Sequence, residues 1–341
     1  MSERYQGGYI TATVVNPDGP IADSATATGV WTLVEQFTFH KAGLWPNGNS
    51  RGVLLGGSAE PAIYNVIDFI QINNSGDATD FGDLTVALRR NGANSSLTRA
   101  ISHGGQADPN AVNSMEFVTI ASAGNATDFG DQQAVGHRGC GGVASKTRSV
   151  FHEGSASTPA INYLNVISYV TTATTGNATD FGDLSLARNG TSGCCSPVRG
   201  IFWRGAKTPD GSSSNVIDYV TIASTGNAAD FGDYFENSSG EGGATSSNIR
   251  GVFQKTDTMN YITIASTGNT SDFGDPSFTK SKSSDGVSNN VRGVFMGGAN
   301  PDTNQIEFIT IGTTGNGSDF GDLTVARGFA NGGSSGNGGH Q

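Results

Sequence analysis

The stretch that decides the fold is Asn215 to Asp233, NVIDYVTIASTGNAADFGD. Its first half, Asn215-Val216-Ile217-Asp218-Tyr219-Val220-Thr221-Ile222, is rich in β-branched and aromatic residues and reads as a strand, which a Ser-Thr-Gly-Asn turn ends. Its last four residues, Asp-Phe-Gly-Asp, occur six times in the chain, beginning at Asp80, Asp128, Asp180, Asp230, Asp272 and Asp319, with spacings of 48, 52, 50, 42 and 47 residues. In all six copies an aromatic stands 11 residues ahead of the motif: Phe69, Phe117, Tyr169, Tyr219, Tyr261 and Phe308. A repeat of about 40 to 50 residues denotes propeller blades or a solenoid array, and the invariant internal spacing makes each copy a rigid unit.

Working outward, a second strand signal precedes each unit, an arginine followed two residues later by a β-branched residue: Arg51/Val53, Arg99/Ile101, Arg148/Val150, Arg199/Ile201, Arg250/Val252 and Arg292/Val294. The interval from each motif to the next such arginine is 19 or 20 residues, whereas the interval from arginine to aromatic varies, at 18, 18, 21, 20, 11 and 16. One loop per repeat therefore absorbs every insertion. Three or four short strands per unit, without a helical pattern, give the expected fold: an all-β, six-bladed β-propeller of antiparallel blades over residues 51–327. Leu323 to Arg327 is expected as the outer strand of the sixth unit, and the Gly/Ser/Asn-rich residues 328–341 as a flexible tail. The six β-branched residues and the six motif phenylalanines are expected in the core.

Residues 1–50 do not share the repeat and are expected to form a short attachment segment. Within them Thr32-Leu33-Val34-Glu35 fits a capping box, with one helix from about Leu33 to Ala42.

Composition narrows the function. The chain has 341 residues, of which 50 are glycine, and a net charge of -11 with its lysines and arginines scattered. Nucleic-acid binding needs clustered basic residues, so it is excluded as an expectation. No run of about 18 apolar residues exists, so no helix is expected to insert in a membrane. Met1 to Gly7 has no basic stretch before an apolar core, so no secretory signal is read there. Three cysteines, Cys140, Cys194 and Cys195, have neither disulfide-framework nor zinc spacing.

The repeated motif admits several chemical readings. Asp-Phe-Gly also occurs in the magnesium site of protein kinases, but no phosphate loop or His-Arg-Asp loop accompanies it here. Six acidic turns could ligate calcium, against the simpler reading that the six arginines supply them with hydrogen-bond partners. The Asn-x-Ser/Thr matches at Asn125, Asn177, Asn269 and Asn316 follow from the repeated turn. Asp-x-Gly in a blade turn partly resembles the Asp box of sialidases, although Ala126, Ala178 and Ala228 stand where that box has serine. No catalytic residue, metal site or cofactor is therefore assigned.

The repeat breaks its own pattern at the end of the arginine strand. Units one, two and six read Leu55-Gly56-Gly57, His103-Gly104-Gly105 and Met296-Gly297-Gly298, but units three to five read His152-Glu153-Gly154, Trp203-Arg204-Gly205 and Gln254-Lys255-Thr256. If the arginine strand is innermost, these side chains gather at one mouth of the ring. His103, His152, Glu153, Trp203, Arg204 and Lys255 are thus the candidate ligand-binding residues, with drift at solvated positions as the alternative. Trp31, Phe37, Phe39 and Trp45 are the candidate attachment residues.

The Gly-Gly strand ends and the aromatic strands resemble kelch-type repeats, with phenylalanine in place of the kelch tryptophan. The run from Asn215 to Asp233, the Leu-Thr-Val-Ala-Arg at Leu323 to Arg327, and the run from Gly29-Val30-Trp31-Thr32-Leu33 to Gly43-Leu44-Trp45-Pro46 look like segments of structural and tail-fibre-like proteins of marine bacteriophages, cyanophages especially. That resemblance implies a non-enzymatic virion component, made in the host cytoplasm and located in the virion as a tail fibre, tail tip or particle decoration. Its implied partners are other virion proteins, through residues 1–50, and a host-surface glycan or envelope protein; homo-oligomerisation stays open. The rival readings are a carbohydrate-processing propeller enzyme of sialidase-like architecture and a cellular kelch-type interaction module.

Overall fold

The computed structural model describes residues 32, 34–35, 50–133, 137–156, 162–207, 211–238, 242–279, 282–283 and 286–334. The chain divides into two compact units, Met1–Ser50 and Arg51–Gln341. In the first unit the capping box is formed: the Thr32 hydroxyl accepts from the Glu35 amide at 3.2 Å, and the Glu35 carboxylate accepts from the Thr32 amide at 2.8 Å. Val34 and Glu35 are helical. The rest of the expected helix, with Trp31, Phe37, Phe39 and Trp45, lies outside the described residues.

The second unit is a six-bladed β-propeller. Each blade is an antiparallel sheet with one strand order, shown by blade four: Ser192–Cys195, Arg199–Trp203, Ser214–Thr221, Ala229–Ser238. The first strand is innermost, and the six equivalents surround a central cavity of about 40 Å³ that includes Asn94, Val143, Cys194, Thr245 and Val287 in its lining. These strands are built from glycine, alanine, serine and other small residues because six backbones converge on one axis, leaving no room for larger side chains.

The structure differs from the expected blade plan at three points. The arginine strand is second from the axis rather than innermost, because the segment of fixed length before it forms a strand of its own. The outermost strand is the Asp-Phe-Gly-Asp segment itself, as in Ser318–Asp322, and not Leu323 to Arg327, which links blade six to blade one. Residues 328–334 are not a flexible tail: Asn331–Ser334 pairs antiparallel with Arg51–Leu55, matching Gly333 with Val53, and supplies the innermost strand of blade one. The ring is thus closed by the C-terminal strand joining three N-terminal ones, which leaves no open edge at the junction.

The two expected apolar columns are buried. Val53, Ile101, Val150, Ile201, Val252 and Val294 are at most 1% exposed, and the motif phenylalanines Phe81, Phe129, Phe181, Phe231, Phe273 and Phe320 at most 3%. In every blade the aromatic 11 residues upstream meets the motif phenylalanine edge to face, with centroids from 5.8 Å for Phe69–Phe81 to 6.2 Å for Phe308–Phe320.

The arginines do not pair with the acidic turns. Each guanidinium lies over its own blade's aromatic ring, 5.0 Å away for Arg51 on Phe69 and 4.2 Å for Arg292 on Phe308. Each also donates to a carbonyl at the end of the next blade's aromatic strand, as Arg148 does to Ile222 at 3.0 Å and Arg199 to Ile264 at 2.9 Å. The first aspartate of every motif is exposed on the outer edge. What the motif contributes structurally is its backbone. The Phe81 carbonyl accepts from the Gly124 amide of blade two at 2.7 Å, and the Asp83 amide donates to the Asn125 side chain at 3.1 Å. Gly82 sits between them at φ +146°, where a Cβ would lie 2.5 Å from the Gly124 oxygen. The same clasp recurs around the ring, and at its closure the Asp322 amide donates to Asp77 at 3.1 Å.

Antiparallel connection puts the variable loops and the blade-to-blade linkers on one face, termed upper. The short turns before each arginine and after each aromatic strand form the lower face.

Candidate functional site

The candidate ligand residues stand at the upper end of the arginine strands, and the structure brings most of them inside. His103, His152 and Trp203 are fully buried, and Glu153 and Arg204 are 1% exposed. Since a small-residue strand covers the axial side of the arginine strand, these side chains enter the seams between blades rather than a solvated mouth. They do not form a ligand surface. Only Lys255 reaches solvent in part, paired with Glu236.

Their arrangement is a buried polar arc across blades two to four. The His103 ring stacks on Phe151 with centroids 4.4 Å apart. Asn94 donates its amide to the carbonyls of Val143 and Val150 at 3.1 and 3.0 Å, so its Oδ1 must accept from His103 Nε2 at 2.8 Å. His103 Nδ1 is then the acceptor facing Gln132, 3.5 Å away. The ring is neutral, and burial, aided by the nearby His152, pushes its pKa down to about 3. His152 lies 2.9 Å from both Thr191 Oγ1 and the Leu164 carbonyl. Glu153 accepts from Ser168 at 2.6 Å. Cys140 donates to the Glu153 carbonyl at 3.6 Å, and burial raises its thiol pKa, the opposite of what a nucleophile needs.

Blades four and five meet in an aromatic seam. Trp203 lies 4.6 Å from Phe253 and 4.9 Å from Tyr234, with the Arg204 guanidinium 5.0 Å from its ring. Arg204 has φ +54° where the equivalent Gly56, Gly104 and Gly297 have +68°, +57° and +64°, so the side chain there holds a backbone that usually calls for glycine.

Sequence reasoning missed a second column. The residue before each aromatic is polar and buried: Asp68, Glu116, Ser168, Asp218, Asn260 and Glu307. Each reaches the linker arriving from the preceding blade. Glu116 accepts from the Thr85 amide at 2.8 Å, Glu307 from the Ser277 amide at 2.6 Å, and Asn260 donates to the Tyr234 hydroxyl at 3.2 Å. Two of these contacts are wholly buried ion pairs, Arg188–Asp218 and Arg327–Asp68, both at 2.9 Å. A polar residue recurring at one place in an otherwise apolar strand was the available signal.

The axis itself offers little room for a ligand. A central cavity of about 40 Å³ holds about one or two waters. Among the described residues no cluster of three or more histidine, cysteine, aspartate or glutamate side chains has the geometry to hold a metal ion. The upper face instead presents loops of unequal length over rigid seams; Arg89 there joins Asp108 at 3.1 Å and also pairs with Glu60. No family model matches the chain, and no curated protein matches it.

Proposed function

We propose that this chain is a non-enzymatic structural protein of a bacteriophage virion, in a tail fibre, tail tip or particle decoration, which displays its propeller for recognition of a host-surface glycan or envelope protein. The observation that carries this reading is the division of labour in the ring. Its axis leaves a cavity of only about 40 Å³, His103, His152 and the buried acids of the described residues are tied into seams, and the variation in repeat length falls in the loops of the upper face. Such a body is suited to presenting loops on a rigid scaffold, the usual arrangement of a binding module. The likeness of its repeats to marine phage tail-fibre-like proteins supplies the virion part of the proposal. Residues 1–50, with Trp31, Phe37, Phe39 and Trp45, are assigned to attachment on the same ground. Recognition moves from the six buried or paired side chains to the loop tips around them.

The test is mass spectrometry of gradient-purified particles from a phage that carries the gene. The chain is expected at a stoichiometric level with other particle proteins. Its absence from infectious particles would overturn the reading.

A further inference from the structure

The lower face carries a row of exposed aliphatic turn tips. Each turn between an inner strand and its arginine strand carries an exposed tip, and four of these tips are aliphatic: Leu97, Val198, Ile249 and Val291, exposed by 41, 64, 68 and 60%. Three of them fall on consecutive blades, four to six, so they form an arc close to the axis. Aliphatic side chains in that number at tight turns are not needed by the turn, which Ser96, Ser196, Ser247 and Asn289 already cap through their side-chain oxygens.

Charge is distributed in the same way. The six half-buried arginines of the arginine strands all lie at this end, with Lys146 exposed at the tip of blade three. The exposed aspartates of the repeated motif stand higher on the outer edge, in register with the fourth residue of the arginine strand, as Asp80 is through Asp68 with Leu54. Among the described residues of the lower turns the one carboxylate is Asp77. A chain of net charge -11 thus has an apolar arc encircled by positive charge on one face. Two lower faces placed together would oppose their arginine rings. The complement is a protein surface with an apolar centre and a carboxylate rim, the common anatomy of a specific interface with the charge fixed.

We propose that the lower face is the mount of the propeller, docking through Val198, Ile249 and Val291 on an acidic-rimmed apolar surface of another particle protein. This rests on the virion reading and adds an orientation to it. The chain enters the ring at Arg51 and ends its last described strand at Ser334, and the strand directions place both at the lower face. The variable loops then point away from the particle.

The experiment uses particles assembled without this chain and purified full-length protein added back, with binding read by co-sedimentation. Wild-type protein is expected to bind, more weakly as salt is raised from about 0.1 to 0.5 M because screening shortens the reach of the arginine ring. The variant V198D/I249D/V291D is expected to bind at least tenfold more weakly while its melting transition stays cooperative. Val86→Asp, an exposed aliphatic of the upper linker, is expected to bind as wild type. Equal binding by the triple variant overturns the mount and leaves the virion role standing. A chain that is missing from normal particles overturns both. Sedimentation showing a wild-type oligomer that the triple variant dissolves would assign the face to a second copy, and protection of these turns in the isolated monomer would assign it to the chain itself; either result overturns the proposal.

Discussion

Arg327 and Asp68, 259 residues apart in sequence, form a fully buried ion pair with Nη1 to Oδ2 at 2.9 Å. The arginine also donates its Nε to the Gly56 carbonyl at 2.8 Å, and Asp68 accepts from the Thr324 amide and hydroxyl. The pair therefore fastens the linker that carries the last strand back to the first blade. Removing one partner strands a buried charge, so Asp68→Ala is expected to cost about 3 to 5 kcal/mol in urea unfolding. Asp68→Leu combined with Arg327→Met is expected to recover most of that loss. A double variant no better than the single one would show that the pair itself, rather than the unpaired charge, holds the closure.

Ring closure by residues 331–334 gives a second prediction. A chain ending at Ser334 is expected to melt as the full chain does, whereas one ending at Arg327 loses the innermost strand of blade one. The shorter chain is expected to unfold at lower temperature and to expose the Val53 and Leu54 edge to aggregation. Light scattering with calorimetry on the two truncations checks this.

Phe231 is buried between blades four and five and meets Tyr219 edge to face at 6.1 Å. Phe231→Ala is expected to destabilise by about 3 to 5 kcal/mol, since six tightly registered seams leave little freedom to collapse on the cavity. A loss below about 1 kcal/mol, measured by denaturant titration, would contradict that packing.

His103 makes stability depend on pH. Its folded pKa is depressed to about 3 from 6.5, so the neutral ring's contribution is complete above about pH 6.5 and is lost as pH falls toward 3, where the unfolded chain binds the proton first. Folding stability is expected to fall over that window by on the order of a few kcal/mol. His103→Gln, whose amide can still donate to Asn94, is expected to flatten the loss between pH 7 and 4. An equal slope in the variant would place the effect on other groups.

The architecture was legible because the repeat carries its own register. The constant spacing from Tyr219 to Asp230 marks one rigid unit, and no tertiary information is needed to see that Phe231 of the motif is core, whereas the half-buried Tyr219 only packs against it. The innermost strand escaped because its constraint is size. Gly92-Ala93-Asn94-Ser95 has no strand pattern, since what selects those residues is convergence on the axis. That one omission displaced the site: once the arginine strand is second, His103, His152 and Trp203 turn into seams. The role of Arg148 also exceeded the sequence, because its acceptor is a backbone carbonyl 74 residues away, Ile222, which no residue pattern marks. The capping box of Thr32 and Glu35 was legible for the opposite reason, being local.

The proposed role, a particle component that turns its loops outward, is tested by a cryo-electron microscopy reconstruction of the intact particle at a resolution that shows blades. The expected result is a six-bladed ring seated by the face that bears Val198, Ile249 and Val291, with the loops around Glu60, Asp108 and Lys255 facing solvent. Particles with no such ring, or a ring whose loop face is buried against the particle, would contradict it.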